Sequence, residues 1–236
     1  MKLFYYLLAL FILSSFAYAD GKVIKILPLG DSISCASTQK LSYRYPLWKS
    51  LIDRGKEVSF IGSQDYNQGR TWEHYKGISF PPANEAHSGW RTDQILQGLD
   101  NGTVGLPSWL VHYNPDIVLI HLGTNDLYQS QSPQTTVKEI EQIITLLRKK
   151  NPKIKVLLAK IIPMGKRGRY VPQLNQLIGR LAIQLNTKIS PVHSVDMYSG
   201  MSIYHDLEKD RIHPNASGEL KLAQRWLAGL INNHYL

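Results

Sequence analysis

Val23-Ile24-Lys25-Ile26-Leu27-Pro28-Leu29-Gly30-Asp31-Ser32 is an apolar run that ends in a small polar turn. A near-continuous apolar run of this length marks a strand covered on both faces. Residues 23–29 therefore predict a first strand. Residues 58–61, 116–122, 155–162 and 191–195 read the same way. Helical patterns lie between them. Ser132-Pro133 offers an N-cap and a proline at the first helical position. Val137, Ile140, Ile144 and Leu147 then share one face, Lys149 and Lys150 suit the C-terminal end of the dipole, and Asn151-Pro152 stops the helix. Leu174, Leu177, Ile178, Leu181 and Leu185 make a second stripe. Asn215 can cap a last helix that turns Leu220, Ala223, Leu227 and Leu230 inward.

Repeated strand–helix alternation implies an α/β protein, a parallel sheet with helices on both faces. The chain has 236 residues and carries no internal repeat, low-complexity tract or linker, so it reads as one domain. In such sheets ligands bind beyond the carboxyl ends of the strands. That rule points to the loops after Leu29, His121 and Val195. Residues 63–88 are rich in Gly, Pro, Asn and aromatics and predict an irregular lobe over that edge.

Three polar clusters fall on these loops. In Gly30-Asp31-Ser32 the serine is a weak nucleophile unless a base takes its proton; taken alone the triplet is also a common turn or helix cap. In Gly123-Thr124-Asn125-Asp126 the Asn125 amide can donate to a developing oxyanion, although Asn-Asp is also a routine turn pair. In Asp210-Arg211-Ile212-His213 the three-residue spacing puts carboxylate and imidazole on one side of a turn. The carboxylate can then hold one ring nitrogen and leave the other to face a serine. Together the clusters supply a nucleophile, an oxyanion donor and a base.

Composition narrows the function classes. Hydrophobic residues at 43% and charged residues at 19% exclude a disordered chain, and the single cysteine, Cys35, excludes an intrachain disulfide framework and a cysteine-based metal site. No His-Glu-x-x-His or tight ligand spacing joins His74, His87, His193 and His205, so no metal and no cofactor is expected. Met1-Lys2, the apolar residues 3–16 and Ala17-Tyr18-Ala19 read as a signal peptide over residues 1–19, followed by one domain over 20–236. A secreted or periplasmic protein with no stable membrane anchor after cleavage is the expectation. There are 27 Lys+Arg against 18 Asp+Glu, a net charge of +9. For an exported protein this favours polyanionic surroundings such as cell wall or acidic polysaccharide. Nucleic acid is not an expected partner, since basic and aromatic residues do not interleave.

Across nearly all of residues 20–236 the sequence resembles the SGNH (GDSL-type) hydrolases. Gly30-Asp31-Ser32, Gly123-Thr124-Asn125-Asp126 and Asp210-Arg211-Ile212-His213 match its first, third and fifth blocks, and Gly89 in His87-Ser88-Gly89-Trp90 matches the second. Tyr43-Arg44-Tyr45-Pro46-Leu47-Trp48, Phe60-Ile61-Gly62-Ser63 and Pro115 to Asp126 are most similar to carbohydrate esterase family 3, the acetylxylan esterases. Two positions depart from that pattern: Ser34-Cys35-Ala36-Ser37 has no early glycine, and Ala86 stands where glycine is expected. Both lie beside the expected acyl pocket.

The resemblance implies the SGNH hydrolase fold, a doubly wound, flavodoxin-like parallel sheet of five strands. It implies Ser32 as nucleophile, His213 as base and Asp210 as its orienter. Ser32, Gly89 and Asn125 would form the oxyanion hole. Trp90, Tyr128 and Trp72 are candidate sugar platforms, with core packing an equal use for each. The implied substrate is an acetylated polysaccharide or a small acetyl ester. A lipase, lysophospholipase or thioesterase of the same chemistry, and a non-catalytic carbohydrate-binding protein on the same fold, are the alternatives.

Overall fold

The computed structural model describes residues 23–35, 42–65 and 74–236. The expected signal peptide and Trp72 lie outside the described residues. In chain order the elements are β1 (Ile24–Gly30), α1 (Arg44–Ile52), β2 (Val58–Phe60), β3 (His74–Tyr75), β4 (Ile78–Ser79), β5 (Glu85–Ala86), α2 (Thr92–Gln97) and α3 (Leu106–Trp109). Then come β6 (Ile117–His121), α4 (Thr124–Tyr128), α5 (Pro133–Lys150), β7 (Lys155–Lys160), α6 (Val171–Leu185), β8 (Val192–Asp196) and α7 (Ala216–Asn232).

The main sheet runs β2-β1-β6-β7-β8, every pair parallel. Counting these five strands in chain order gives 2-1-3-4-5, the flavodoxin-type doubly wound order, whose switch point lies between β1 and β6. β5 adds a two-residue sixth strand beside the carboxyl end of β1, with Leu29 opposite Glu85 and Gly30 opposite Ala86. Strand periodicity divides the core in two. Leu27, Leu29, Val118, Ile120, Val156 and Leu158 face α2, α3, α5 and α6. Ile26, Ile117, Leu119, Leu157 and Ala159 face α1 and α7. Both faces of the central strands are therefore covered, which is why β1, β6 and β7 read as near-continuous apolar runs.

The caps form as their residues dictate. Ser132 Oγ accepts from Thr135 N–H at 3.1 Å, and Asn215 Oδ1 accepts from Ser217 and Gly218 N–H at 2.9 and 3.2 Å. Leu220 is a correction: it is 50% exposed. The inward stripe of α7 is Leu222, Ala223, Trp226, Leu227 and Leu230, and Leu220 falls on the other side of the helix.

The expected lobe of residues 63–88 is a second correction over its described part; residues 66–73 lie outside the described residues. β3 and β4 form an antiparallel hairpin that lies against α1. Tyr75 and Phe80 meet the edge of Trp48 with centroids 6.4 and 5.4 Å apart, and Tyr75 Oη donates to Asp53 at 2.9 Å just past the end of α1. Ile78 and Ser79 border Val23, Glu57 and Val58, at the amino ends of β1 and β2. Aromatic burial on Trp48 thus draws the hairpin away from the carboxyl edge. The end of the stretch reaches that edge through β5.

Candidate active site

β1 delivers Gly30 beside His121, and the chain turns at once. A Cβ on Gly30 would stand 2.5 Å from Ser34 Oγ and 2.9 Å from the His121 carbonyl, so the close approach requires glycine. Asp31 fixes the turn: its carbonyl accepts from Ser34 and Cys35 N–H, both at 3.0 Å, and its Oδ1 accepts from Ile33 N–H at 2.9 Å. Ser32 emerges half-buried at the carboxyl edge of the sheet.

The loop before α7 brings the second group. Asp206, 1% exposed, accepts from Ser202 N–H, Ser217 Oγ and Lys221 Nζ at 2.7, 2.9 and 2.6 Å. Its backbone carbonyl accepts from Asn215 N–H at 2.9 Å. Glu208 N–H donates to the His213 carbonyl at 2.8 Å and closes the turn that presents Asp210 and His213. Asp210 Oδ2 lies 2.6 Å from His213 Nδ1, and His213 Nε2 lies 2.8 Å from Ser32 Oγ. A carboxylate only accepts, so Nδ1–H is the donor, Nε2 is the acceptor, and the Ser32 hydroxyl donates to it. Asp210 Oδ1 also accepts from Ile212 and His213 N–H at 2.9 and 3.1 Å. Burial pushes the Asp210 carboxyl up, but these hydrogen bonds outweigh it and hold it below the ordinary carboxylate range.

The third group is the loop after β5. Gly89 has φ +81°, in the left-handed region that favours glycine. Two side chains grip this loop by its carbonyls: Asn125 Nδ2 donates to Trp90 O at 3.0 Å and Gln129 Nε2 to Gly89 O at 2.9 Å. Asn125 carries a second N–H on the same nitrogen. His87 N–H donates to Gly30 O at 3.0 Å, which ties the loop to the turn that carries Ser32.

Sequence reasoning suggested His87 as a support for this loop and missed its surroundings. Its ring packs against both Trp109 and Trp90, centroids 4.4 and 4.5 Å away, and its Nε2 is 2.6 Å from Glu85 Oε1. Glu85 also accepts from Ser63 N–H and Oγ at 2.9 and 2.7 Å and from Tyr113 Oη. Burial pushes the Glu85 carboxyl up, but the bonds from His87, Tyr113 and Ser63 bring it below its ordinary value. The signal lay in the sequence as Glu85-x-His87, but Tyr113 and Trp109 are distant along the chain. Trp90 is half-buried in that stack, and Tyr128, 37% exposed, lies under Lys166 Nζ at 4.3 Å from its ring centroid.

Two acids beneath the site also escaped notice. Asp31 and Asp126 are 0% exposed, and each has one carboxyl oxygen without a partner among the described residues. Burial raises Asp31 to about 7 and Asp126 to about 6. Asp126 Oδ1 accepts from Thr92 N–H at 3.1 Å and Gln131 Nε2 at 2.8 Å, which fixes α2 against α4.

Residues 29–220 match the model of the GDSL-like Lipase/Acylhydrolase family. A carbohydrate esterase family 3 structure from Talaromyces cellulolyticus superposes with TM-score 0.77 at 28% identity, covering 89% of this chain and 98% of that one. A family 3 carbohydrate esterase from Clostridium thermocellum gives TM-score 0.71 at 25% identity, with 90% and 97% covered. A multidomain esterase of Ruminococcus flavefaciens is 26% identical over 86% of this chain, which spans 28% of that protein's length.

Proposed function

The chain belongs to the GDSL-like lipase/acylhydrolase family, and from that premise we propose that it is a secreted serine esterase that removes O-acetyl groups from polysaccharide. The observation that carries the reading is the continuous chain Ser32 Oγ to His213 Nε2 at 2.8 Å and His213 Nδ1 to Asp210 at 2.6 Å. Likeness to two family 3 carbohydrate esterases supports the acetyl-sugar substrate. The apolar segment 3–16 and Ala17-Tyr18-Ala19 support export.

His213 takes the Ser32 proton as Oγ attacks the ester carbonyl. Asp210 holds the imidazole in the tautomer that can accept it and stabilises the imidazolium that forms. The backbone N–H groups of Ser32 and Gly89 and the second N–H of Asn125 receive the oxyanion. The bond from the acyl carbon to the sugar oxygen then breaks, His213 gives its proton to that oxygen, and the acetyl group stays on Ser32 Oγ. Water enters by the same route, releases acetate and restores Ser32.

The test is acetate release from acetylated xylan, with a small acetyl ester alongside. Ser32→Ala is expected to abolish turnover on both. Asn125→Ala is expected to lose about 10²–10³ in kcat and keep a trace. Equal rates for the wild type and Ser32→Ala would overturn the mechanism. Serine-dependent hydrolysis of the small ester without release from xylan would keep the mechanism and move the substrate to another acetylated glycan or a lipid.

A further inference from the structure

The side of the site formed by the loops after β7 and before α7 carries four cations that form no ion pair with a carboxylate among the described residues. Gly165 N–H donates to the Arg211 carbonyl at 2.9 Å, and a Cβ on Gly165 would meet Arg211 Cβ at 3.1 Å, so the two loops touch. Arg211 stands between Asp210 and His213 in the chain. Lys166, Arg167, Arg169 and Arg211 are all exposed. None has a carboxylate partner among the described residues. Other cations do: Arg91 pairs with Asp93, Lys76 with Asp53 and Lys221 with Asp206.

The unpaired cations are held on rings instead. Lys166 Nζ lies 4.3 Å from the Tyr128 centroid, on the helix that carries Asn125. The Arg211 guanidinium lies 4.8 Å from the Tyr204 centroid, and that of Arg169 4.8 Å from Tyr170. A ring fixes a cation in place without cancelling its charge. Arg167 and Arg211 also hold φ of +60° and +57°, a region where most L residues are uncommon. Long cationic side chains occupy both positions, although glycine would fit that backbone with less strain.

We infer that this rim binds the carboxylates of an acidic, uronate-bearing polysaccharide and so presents its acetyl esters to Ser32. The inference rests on the esterase reading for the ester itself, but the rim is testable without catalysis. Arginine matches a carboxylate with paired donors, and lysine adds a point charge. The repeat of charge along a polyuronate can engage several of these cations at once, as a single anion cannot. Attraction of this kind weakens as salt shortens the Debye length.

The experiment measures binding of unacetylated polygalacturonate and of neutral arabinoxylan by affinity electrophoresis, with hydrolysis of p-nitrophenyl acetate followed in parallel. The wild-type protein is expected to bind polygalacturonate more tightly than arabinoxylan, and to lose that preference as salt rises from about 0.05 to about 0.5 M. Lys166→Gln with Arg211→Gln is expected to weaken polygalacturonate binding about tenfold, and Arg167→Gln with Arg169→Gln several-fold. Lys166→Arg, which keeps the charge, is expected to retain it. Equal binding to both polymers overturns the inference, as does binding unmoved by both double variants. Binding confined to vesicles of phosphatidylglycerol and phosphatidylcholine overturns it too, in favour of a lipid surface. Ester hydrolysis without polygalacturonate binding removes the rim and leaves the esterase; binding without hydrolysis of any acetyl ester does the reverse.

Discussion

The Asp210 carboxylate holds His213 from the wet side of the site: the side chains of Asp210 and His213 are 45% and 42% exposed. Water reaches both, so the charge of Asp210 is partly screened, and its main service is to fix the ring tautomer. An amide oxygen can still accept from Nδ1–H. Asp210→Asn is therefore expected to lower kcat/KM by about 10–10²-fold, and His213→Ala by about 10³-fold or more. Steady-state kinetics on a small acetyl ester decide this, and the reverse order would show that the charge matters more than the geometry. Asp31 is the opposite case, fully buried with one oxygen unpartnered. Its folded pKa of about 7 lies above the ordinary 3.8, so the folded state favours the proton. That contribution is fully present below about pH 4 and is lost as pH rises through about 7, where the carboxylate must be buried charged. Asp31→Asn keeps the acceptor for Ile33 N–H and never ionises. It is expected to raise Tm at about pH 8.5, and to change it little near pH 4. A thermal melt series across pH shows the effect, and a gain independent of pH would contradict the burial argument. That Ser32, Asn125 and the Asp210–His213 pair come together at one edge was legible because each of their three loops follows a strand or opens a helix. The unpartnered oxygens of Asp31 and Asp126 were not, since burial depends on how α2 and α4 pack.

Elements followed the same division. The five strands of the main sheet fall within one or two residues of the runs read from the sequence because their core-facing positions are apolar, even where Lys25, Ser59, His193 and Ser194 interrupt them. Ser132-Pro133 and Asn215 mark α5 and α7 because a side-chain oxygen meets free N–H groups at those helix starts. β5 and the β3–β4 hairpin were illegible. Two residues give no period, and their placement is set by Trp48 and Glu85, which act through space. β5 matters most, because it leads into the loop that carries Gly89. A Cβ on Gly89 would meet nothing within 4 Å, so Gly89→Ala tests conformation without a clash. The φ of +81° costs an L residue roughly 1–2 kcal/mol. The loop can relieve that strain by turning its N–H away from the oxyanion, since its tethers through Asn125 and Gln129 are to carbonyls. Gly89→Ala is expected to shift Tm by only a few degrees while kcat falls about 10–10²-fold with KM nearly unchanged. Full activity in this variant would remove the Gly89 N–H from the oxyanion hole.

Ser32 and His213 lie 181 residues apart, so their 2.8 Å contact is a property of the whole molecule. The route between them runs through the face covered by α1 and α7. Ser34, in the nucleophile turn, bonds Tyr43 Oη at 3.0 Å, and the Tyr43 ring lies 6.0 Å from that of Trp226 on α7. α7 starts at Ala216, three residues after His213. Both Tyr43 and Trp226 are at most 1% exposed, so any loss of volume there leaves a cavity between the turn that carries Ser32 and α7. Trp226→Ala is expected to cost about 3–5 kcal/mol, a large part of the ~5–15 kcal/mol that holds a domain of this kind together. Trp226 Nε1 has no hydrogen-bond partner among the described residues. Trp226→Phe therefore gives back a buried unpaired donor while it keeps a ring, and is expected to cost only about 1–2 kcal/mol. Urea unfolding followed by circular dichroism measures both. If the two variants are equally unstable, the indole nitrogen contributes a bond the structure does not contain. If neither is destabilised, α1 and α7 do not carry the contact that sets serine against histidine.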